Sequence, residues 1–262
     1  MLINFSHANG IPTASYQPLF ESLAPHQVIF NPQYGHNPLF PFTDGWTHLA
    51  DELLHFLDQH AREPVVAVGH SMGAVLSFIA ACKSPQHFKG VLMLDPPLLW
   101  GKMAWGFRFA KLIGRGDDIT PAGKSKFRKR EWPDRQTAID YFASKSLFKF
   151  EPACFDAFCQ AALSPKAQQP GESEAVELAF SVDVEVGIFR NTPTNLKTYS
   201  RPKNLPMKVI YGEQSDASRA DCIEPFCRHF GIECQLISGR HMYPLQQPEQ
   251  TVELIQEFIS RL

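Results

Sequence analysis

One short stretch constrains this chain more than any other: Gly69-His70-Ser71-Met72-Gly73, set between the apolar run Val65–Val68 and an apolar stretch opening with Ala74 and Val75. A Val-rich run of that length reads as a strand covered on both faces. The residues that follow carry the apolar pattern of a helix from about Met72 to Lys83. A chain that passes from buried strand to helix in so few residues must turn sharply. Glycines two positions either side of the serine let neighbouring backbone pass closely without a Cβ clash. The serine hydroxyl then projects at the carboxyl end of the strand, beside a helix N-terminus whose partial positive charge suits an oxyanion. Residue types and spacing make Ser71 the candidate nucleophile.

The rest of the chain supplies a fitting frame. Strand-like segments recur at Leu2–Ser6, Gln27–Asn31, Pro64–Gly69, Gly90–Asp95, Met207–Tyr211 and Glu233–Ile237, with helical patterns between most of them. The first helical patterns are Ser15–Leu23 and the stripe Leu49, Leu53, Leu54 and Leu57. Alternation of this kind predicts an α/β fold with a mainly parallel sheet of about six strands and helices on both faces. The rhythm stops from about Pro96 to Arg201, where the composition turns aromatic, basic and helix-like. A segment of that length is too long for a loop inside a compact domain, so it is expected to form a helical cap, or lid. The expected division is a core of residues 1–96 and 202–262 with a cap of 97–201.

Bulk properties remove several alternatives. A net charge of −2 gives no reason to expect a nucleic-acid partner. No run of eighteen apolar residues exists to span a membrane. The chain opens directly as a strand without a basic leader, so a cytoplasmic protein is the expectation. The six cysteines form no CxxC pair and no zinc-finger spacing, so reduced, mostly buried thiols are expected and no metal site is called for. Nothing in the sequence calls for an organic cofactor.

Six stretches together resemble the α/β-hydrolase superfamily: SHANG (Ser6–Gly10), YGHNPLFPFTDGW (Tyr34–Trp46), GHSMGA (Gly69–Ala74), LMLDPP (Leu92–Pro97), IYGEQSD (Ile210–Asp216) and GRHMYPLQQPE (Gly239–Glu249). The resemblance covers essentially the whole chain. It implies that the sheet lacks the first two strands usual in the superfamily and begins at the third. It also implies catalysis by serine, histidine and an acid. His241, just past the last strand, stands where the superfamily keeps its general base; a serine hydroxyl needs such a base to accept its proton. In the place of the usual HG-x segment stands His7-Ala8-Asn9-Gly10, so the backbone N–H groups of Asn9 and Met72 are the implied oxyanion donors. His7 itself is expected to support its loop.

Two aspartates compete for the acid. Asp216 follows the strand Met207–Tyr211, the commonest location, but falls one residue late, with Ser215 in the usual position. Asp95 ends the preceding strand, 95 − 71 = 24 residues after Ser71. Some superfamily esterases recruit their acid there and leave a serine in the later position. Asp95 is preferred and Asp216 stays the alternative.

The inserted segment is rich in aromatics, among them Trp100, Trp105, Phe107, Phe109 and Trp132, and the loop before it carries Phe40, Phe42 and Trp46. Trp46, Trp100 and Trp105 are candidates to line an apolar substrate pocket. Lys124, Lys126, Arg128, Lys129 and Arg130 form a basic run, read first as a solvated face and otherwise as an attractor for an anionic substrate or membrane surface. The expected function is carboxylic ester hydrolysis through an acyl-enzyme, on small to medium apolar esters, by a monomer or homodimer. C–C bond hydrolysis, lyase chemistry or acyl transfer by the same triad is the alternative, and a non-catalytic small-molecule binding protein a third reading.

Overall fold

The computed structural model describes residues 1–166 and 174–262, with only the backbone described at Asp44. In chain order the strands are β1 Leu2–Ser6, β2 Gln27–Ile29, β3 Val65–His70, β4 Phe88–Leu94, β5 Glu131–Trp132, β6 Leu163–Pro165, β7 Val176–Leu178, β8 Met207–Gly212 and β9 Glu233–Ile237. The helices are α1 Gln17–Ser22, α2 Thr47–His60, α3 Met72–Lys83, α4 Lys102–Leu112, α5 Ala122–Ser125, α6 Arg135–Ala143, α7 Pro152–Ala162, α8 Val182–Arg190, α9 Ala220–Phe230, α10 Tyr243–Gln246 and α11 Pro248–Ile259.

The main sheet has the order β2-β1-β3-β4-β8-β9, and every pairing in it is parallel. All six strands foreseen from the sequence are there, shifted at their ends by a residue or two. β3 and β8 are buried along their whole length, which is why they read as continuous apolar runs rather than alternating ones. Two apolar cores cover the sheet. One gathers α2, α3 and α9 around Phe78, Phe226 and Phe230. The other gathers α1 and α11 around Phe5, Tyr16, Tyr243 and Ile255.

Chain order and spatial order part company beside β1. The chain moves from β1 outward to β2, then returns across β1 to β3. In an open parallel sheet such a reversal leaves a crevice beyond the carboxyl ends of the two inner strands. Here those ends are His7-Ala8-Asn9 and Ser71.

Between β4 and β8 the inserted segment is mainly helical, as foreseen, but it also contains a three-stranded antiparallel sheet, β5-β7-β6. Its strands are two or three residues long, too short to leave an alternating pattern in the sequence. The aromatics Trp132, Phe142, Phe148 and Phe158 pack on one another in tilted, edge-to-face and stacked pairs, and continue the core under α7 and α1.

The turn at Ser71 depends on a close approach. A Cβ on Gly73 would sit 2.0 Å from the Ser6 carbonyl oxygen, and one on Gly69 would sit 2.3 Å from the Gly73 carbonyl oxygen. Both neighbours are backbone and cannot swing aside. Gly73→Ala is therefore expected to destabilise the fold by about 3 kcal/mol through overpacking. Thermal unfolding checks this: at this chain length the midpoint should drop by roughly 6–12 °C, and an unchanged midpoint would mean that the approach is looser than described.

Candidate active site

Ser71 stands between β3 and α3 with φ 54° and ψ −118°, a left-handed conformation that L-residues rarely adopt. Two backbone bonds hold it there. The Ser71 N–H donates to the Leu94 carbonyl at 2.9 Å, tying the turn to the end of β4. The Gly73 N–H donates to the His7 carbonyl at 3.1 Å, tying the first turn of α3 to the loop after β1. That loop and the start of α3 thus face each other across the crevice. The backbone N–H groups of Asn9 and Met72 have no acceptor among the described residues. The Asn9 side chain is occupied, donating to the Glu185 carbonyl on α8 at 2.9 Å.

Asp95 follows Leu94 directly, and its side chain is 0% exposed. It too has a positive φ, 47°, and its N–H donates to the Ile210 carbonyl on β8 at 2.8 Å. Three donors meet its carboxylate. The Gly212 N–H reaches Oδ1 at 2.8 Å, the Ser215 hydroxyl reaches Oδ2 at 2.5 Å, and the His241 Nδ1–H reaches Oδ2 at 2.6 Å. Ser215 Oγ in turn accepts the Ala217 and Ser218 N–H groups, which orients its own proton toward the carboxylate. Asp216, by contrast, is exposed and makes no hydrogen bond or ion pair among the described residues.

With Nδ1 bonded to Asp95, the proton-accepting nitrogen of His241 is Nε2. It has no partner within 3.5 Å among the described residues, and Ser71 Oγ makes no hydrogen bond to it. The two groups are neighbours through the backbone rather than through a formed bond. The His70 Nε2–H donates to the His241 carbonyl at 2.9 Å, and the two rings lie 5.2 Å apart.

Sequence reasoning set aside the role His70 plays. Its Nδ1 accepts from the Tyr16 hydroxyl at 2.7 Å, and the Tyr16 oxygen accepts the Ala8 N–H at 3.4 Å. A largely buried chain of hydrogen bonds therefore links the loop after β1 to the loop of His241 through the residue that precedes Ser71. A carbonyl can only accept, so this geometry fixes the His70 tautomer. Burial holds the His70 imidazole well below its usual pKa, and the neighbouring His241 pushes the same way. The signal that could have revealed this pair was Tyr16 sharing the helical spacing of the buried Leu19, Phe20 and Leu23.

His7 supports its loop, as expected: Nδ1 meets the Ala8 carbonyl at 2.8 Å and Nε2 accepts the Tyr34 N–H at 2.9 Å. The three tryptophans considered for the pocket behave otherwise than expected. Trp46 is buried in the core and donates from Nε1 to the Ile188 carbonyl at 2.8 Å. Trp100 packs against Phe226 and Phe230 of α9. Trp105 is 72% exposed, because α4 turns Ala104, Phe107 and Ala110 inward and leaves the opposite face to solvent. None of the six cysteines forms a disulfide. Among the described residues no cluster of His, Cys, Asp and Glu is arranged to hold a metal ion, and no helix is long and apolar enough to cross a membrane.

The model of the alpha/beta hydrolase family matches residues 5–254. Two type I acyl-CoA thioesterases of Penicillium brevicompactum, mpaH and mpaH', are each 29% identical over 171 residues. The match covers 58% of this chain but only 37% of theirs. Among solved structures, E-2-(acetamidomethylene)succinate hydrolase superposes with a TM-score of 0.77 at 20% identity, covering 99% of this chain and 91% of that one. The thioesterase domain from the curacin biosynthetic pathway gives 0.71 at 18% identity, covering 97% and 90%. At such identities these structures speak for the fold alone.

The buried histidines make stability depend on pH. Burial holds the His7 imidazole down to about 4. In the unfolded chain both His7 and His70 take up a proton near pH 6.5. Below that pH the unfolded state binds more protons than the native state, so their contribution is lost as pH falls, for His7 down to about 4. Its share is about 3 kcal/mol. The buried carboxyls of Glu52 and Glu185, held above the usual range by desolvation, act in the opposite sense. Comparison with a variant isolates the histidine. His7→Gln is expected to be less stable at pH 7 and to lose less stability between pH 6.5 and 4, as read by urea unfolding across that range. Parallel curves for the two proteins would contradict the assignment.

Proposed function

The chain belongs to the alpha/beta hydrolase family, and from that premise we propose that it is a serine hydrolase that cleaves acyl esters through a covalent acyl-enzyme. The observation that carries the reading is the 2.6 Å bond between His241 Nδ1 and the buried Asp95, beside a strained Ser71. Asp95 orients the imidazole and stabilises its charge when it forms. His241 Nε2 accepts the Ser71 proton as Oγ attacks the acyl carbon. The N–H groups of Asn9 and Met72 receive the developing oxyanion, and each is worth roughly 3–4 kcal/mol in the transition state. His241 returns its proton to the leaving group, and water then releases the acyl chain by the same steps. The Ser71–His241 bond closes in the substrate complex, as catalytic hydrogen bonds often do. In this reading residues 97–201 act as a cap over a core of 1–96 and 202–262.

The likeness to acyl-CoA thioesterases favours a second reading of the same site, in which the leaving group is a thiol rather than an alcohol. The two differ only in the atom that His241 protonates, so substrates decide between them.

An acyl-chain series of p-nitrophenyl esters, run beside the matching acyl-CoA thioesters, tests both readings. Higher kcat/KM on thioesters would favour the second. In either case Ser71→Ala should lose about 10⁴-fold or more in kcat, and a fluorophosphonate probe should label Ser71. Undiminished turnover in the variant sinks the mechanism. For the acid, Asp95→Asn should lose about 10⁴-fold while Asp216→Asn stays near wild type. The reverse order would make Asp216 the acid.

A further inference from the structure

The strongest unexplained feature is a set of exposed apolar side chains in the inserted segment. Met103, Trp105, Phe109, Leu112, Ile113, Ile119 and Phe127 are all exposed, Leu112 by 83% and Phe127 by 80%. Trp105, Phe109 and Leu112 are spaced four and three apart, so they form one face of α4, opposite the inward Ala104, Phe107 and Ala110. A helix that buries alanines and one phenylalanine while presenting a tryptophan, a phenylalanine and a leucine to water has its larger apolar face outside.

Charge is concentrated in the same stretch. Between Gly101 and Arg130 stand nine lysines and arginines against two aspartates, a net +7 in a chain whose total is −2. Part of it is offset, since beside the two aspartates Glu185 pairs with Arg128 at 2.7 Å and Asp183 with Arg130 at 2.9 Å. Asp117 is held between Arg190 and Lys126 at 2.7 and 3.1 Å, and Asp118 accepts from Arg115 at 2.7 Å. Lys102 and Lys124 are exposed and make no ion pair among the described residues.

We propose that the face of α4 formed by Trp105, Phe109 and Leu112 docks onto an anionic lipid bilayer, seating in its interface without crossing it. Two observations select this occupant. The side chains stand out from the surface as a ridge, and a fluid acyl layer takes up a ridge without a matching groove. The stretch that carries the ridge is net positive, which complements anionic headgroups, and a tryptophan with lysines and arginines beside an apolar helical face is the composition that lies in a membrane interface. Docking of this kind would bring the enzyme to an apolar substrate without any part of the fold entering the membrane core.

The protein itself carries the reporter. Trp46, Trp100 and Trp132 are buried, so a change in tryptophan emission on contact with vesicles reads Trp105. Phosphatidylcholine vesicles with and without phosphatidylglycerol are added to the full chain at low and raised salt. Expected is a blue shift and co-sedimentation with the anionic vesicles, both weakened by salt. Phe109→Asp/Leu112→Asp should bind at least about tenfold more weakly, with an unchanged melting midpoint and unchanged hydrolysis of a water-soluble ester. Absence of binding to the anionic vesicles overturns the proposal. So does sedimentation without a blue shift, or a double variant that binds like wild type. A wild-type dimer that the double variant converts to monomer, with no vesicle binding, would assign the face to a second copy of the chain instead.

Discussion

A carboxylate shut away from water has to be met by donors, and the geometry of the site follows from how Asp95 meets them. Removing a charge of this kind from solvent costs several kcal/mol unless hydrogen bonds replace the lost hydration. The three donors come from three places: the end of β8 at Gly212, the turn after it at Ser215, and the loop after β9 at His241. None of these segments is next to Asp95 in sequence. Satisfying one buried charge therefore fixes the mutual position of three loops and aims the His241 ring. The positive φ at Asp95 is part of the same arrangement, since it bends the chain at the end of β4 while the Asp95 N–H still reaches β8.

A second constraint works from below. The chain Ala8–Tyr16–His70–His241 uses a neutral imidazole as a strut between two loops that must keep their distance from Ser71. Its value depends on His70 staying uncharged. A protonated ring would have a hydrogen on Nδ1 and could no longer accept from Tyr16. Burial, which costs a charged imidazole far more than a neutral one, holds it in the useful state. Asp95 thus orients the His241 side chain from one side while His70 holds its backbone from the other. His70 is the last residue of β3 and Asp95 directly follows β4, so both are held at the carboxyl ends of adjacent strands.

What the sequence made legible follows from how local the physics is. The turn at Ser71 was readable because the glycines that permit it lie within five residues, and the strands because each buries its own apolar run. The contest between Asp95 and Asp216 was not decidable in that way. It turns on whether a chain bends at Asp95 and on which hydroxyl comes round from β8, and both are contacts between segments more than a hundred residues apart. Trp105 shows the same limit. A count of aromatics registers apolar mass, but the direction each faces is set by the helix and what it packs on, and α4 packs on its small residues. The antiparallel sheet β5-β7-β6 escaped notice because its strands carry too few residues to declare a period.

The inserted segment is bound into the site as well as lying outside the sheet. The Glu185 carbonyl on α8 receives the Asn9 side chain, and the Glu185 carboxylate, paired to Arg128 at 2.7 Å, packs where a Cβ on Gly10 would meet it at 3.0 Å. Gly10 has φ 73°, so a side chain there would be disfavoured both by the backbone conformation and by the Glu185 carboxylate of the insertion. Arg128 belongs to the basic run whose other members, Lys124, Lys126, Lys129 and Arg130, are exposed. One stretch of chain therefore touches the loop beside Ser71 through Glu185 and offers its apolar and cationic face to the outside through α4 and Phe127. α4 meets the end of α8 through Lys111 Nζ and Asn191 Oδ1 at 3.5 Å, and α5 packs on α8 through Ala122, Val182 and Val186, so α8 is the element that connects both to the Asn9 loop.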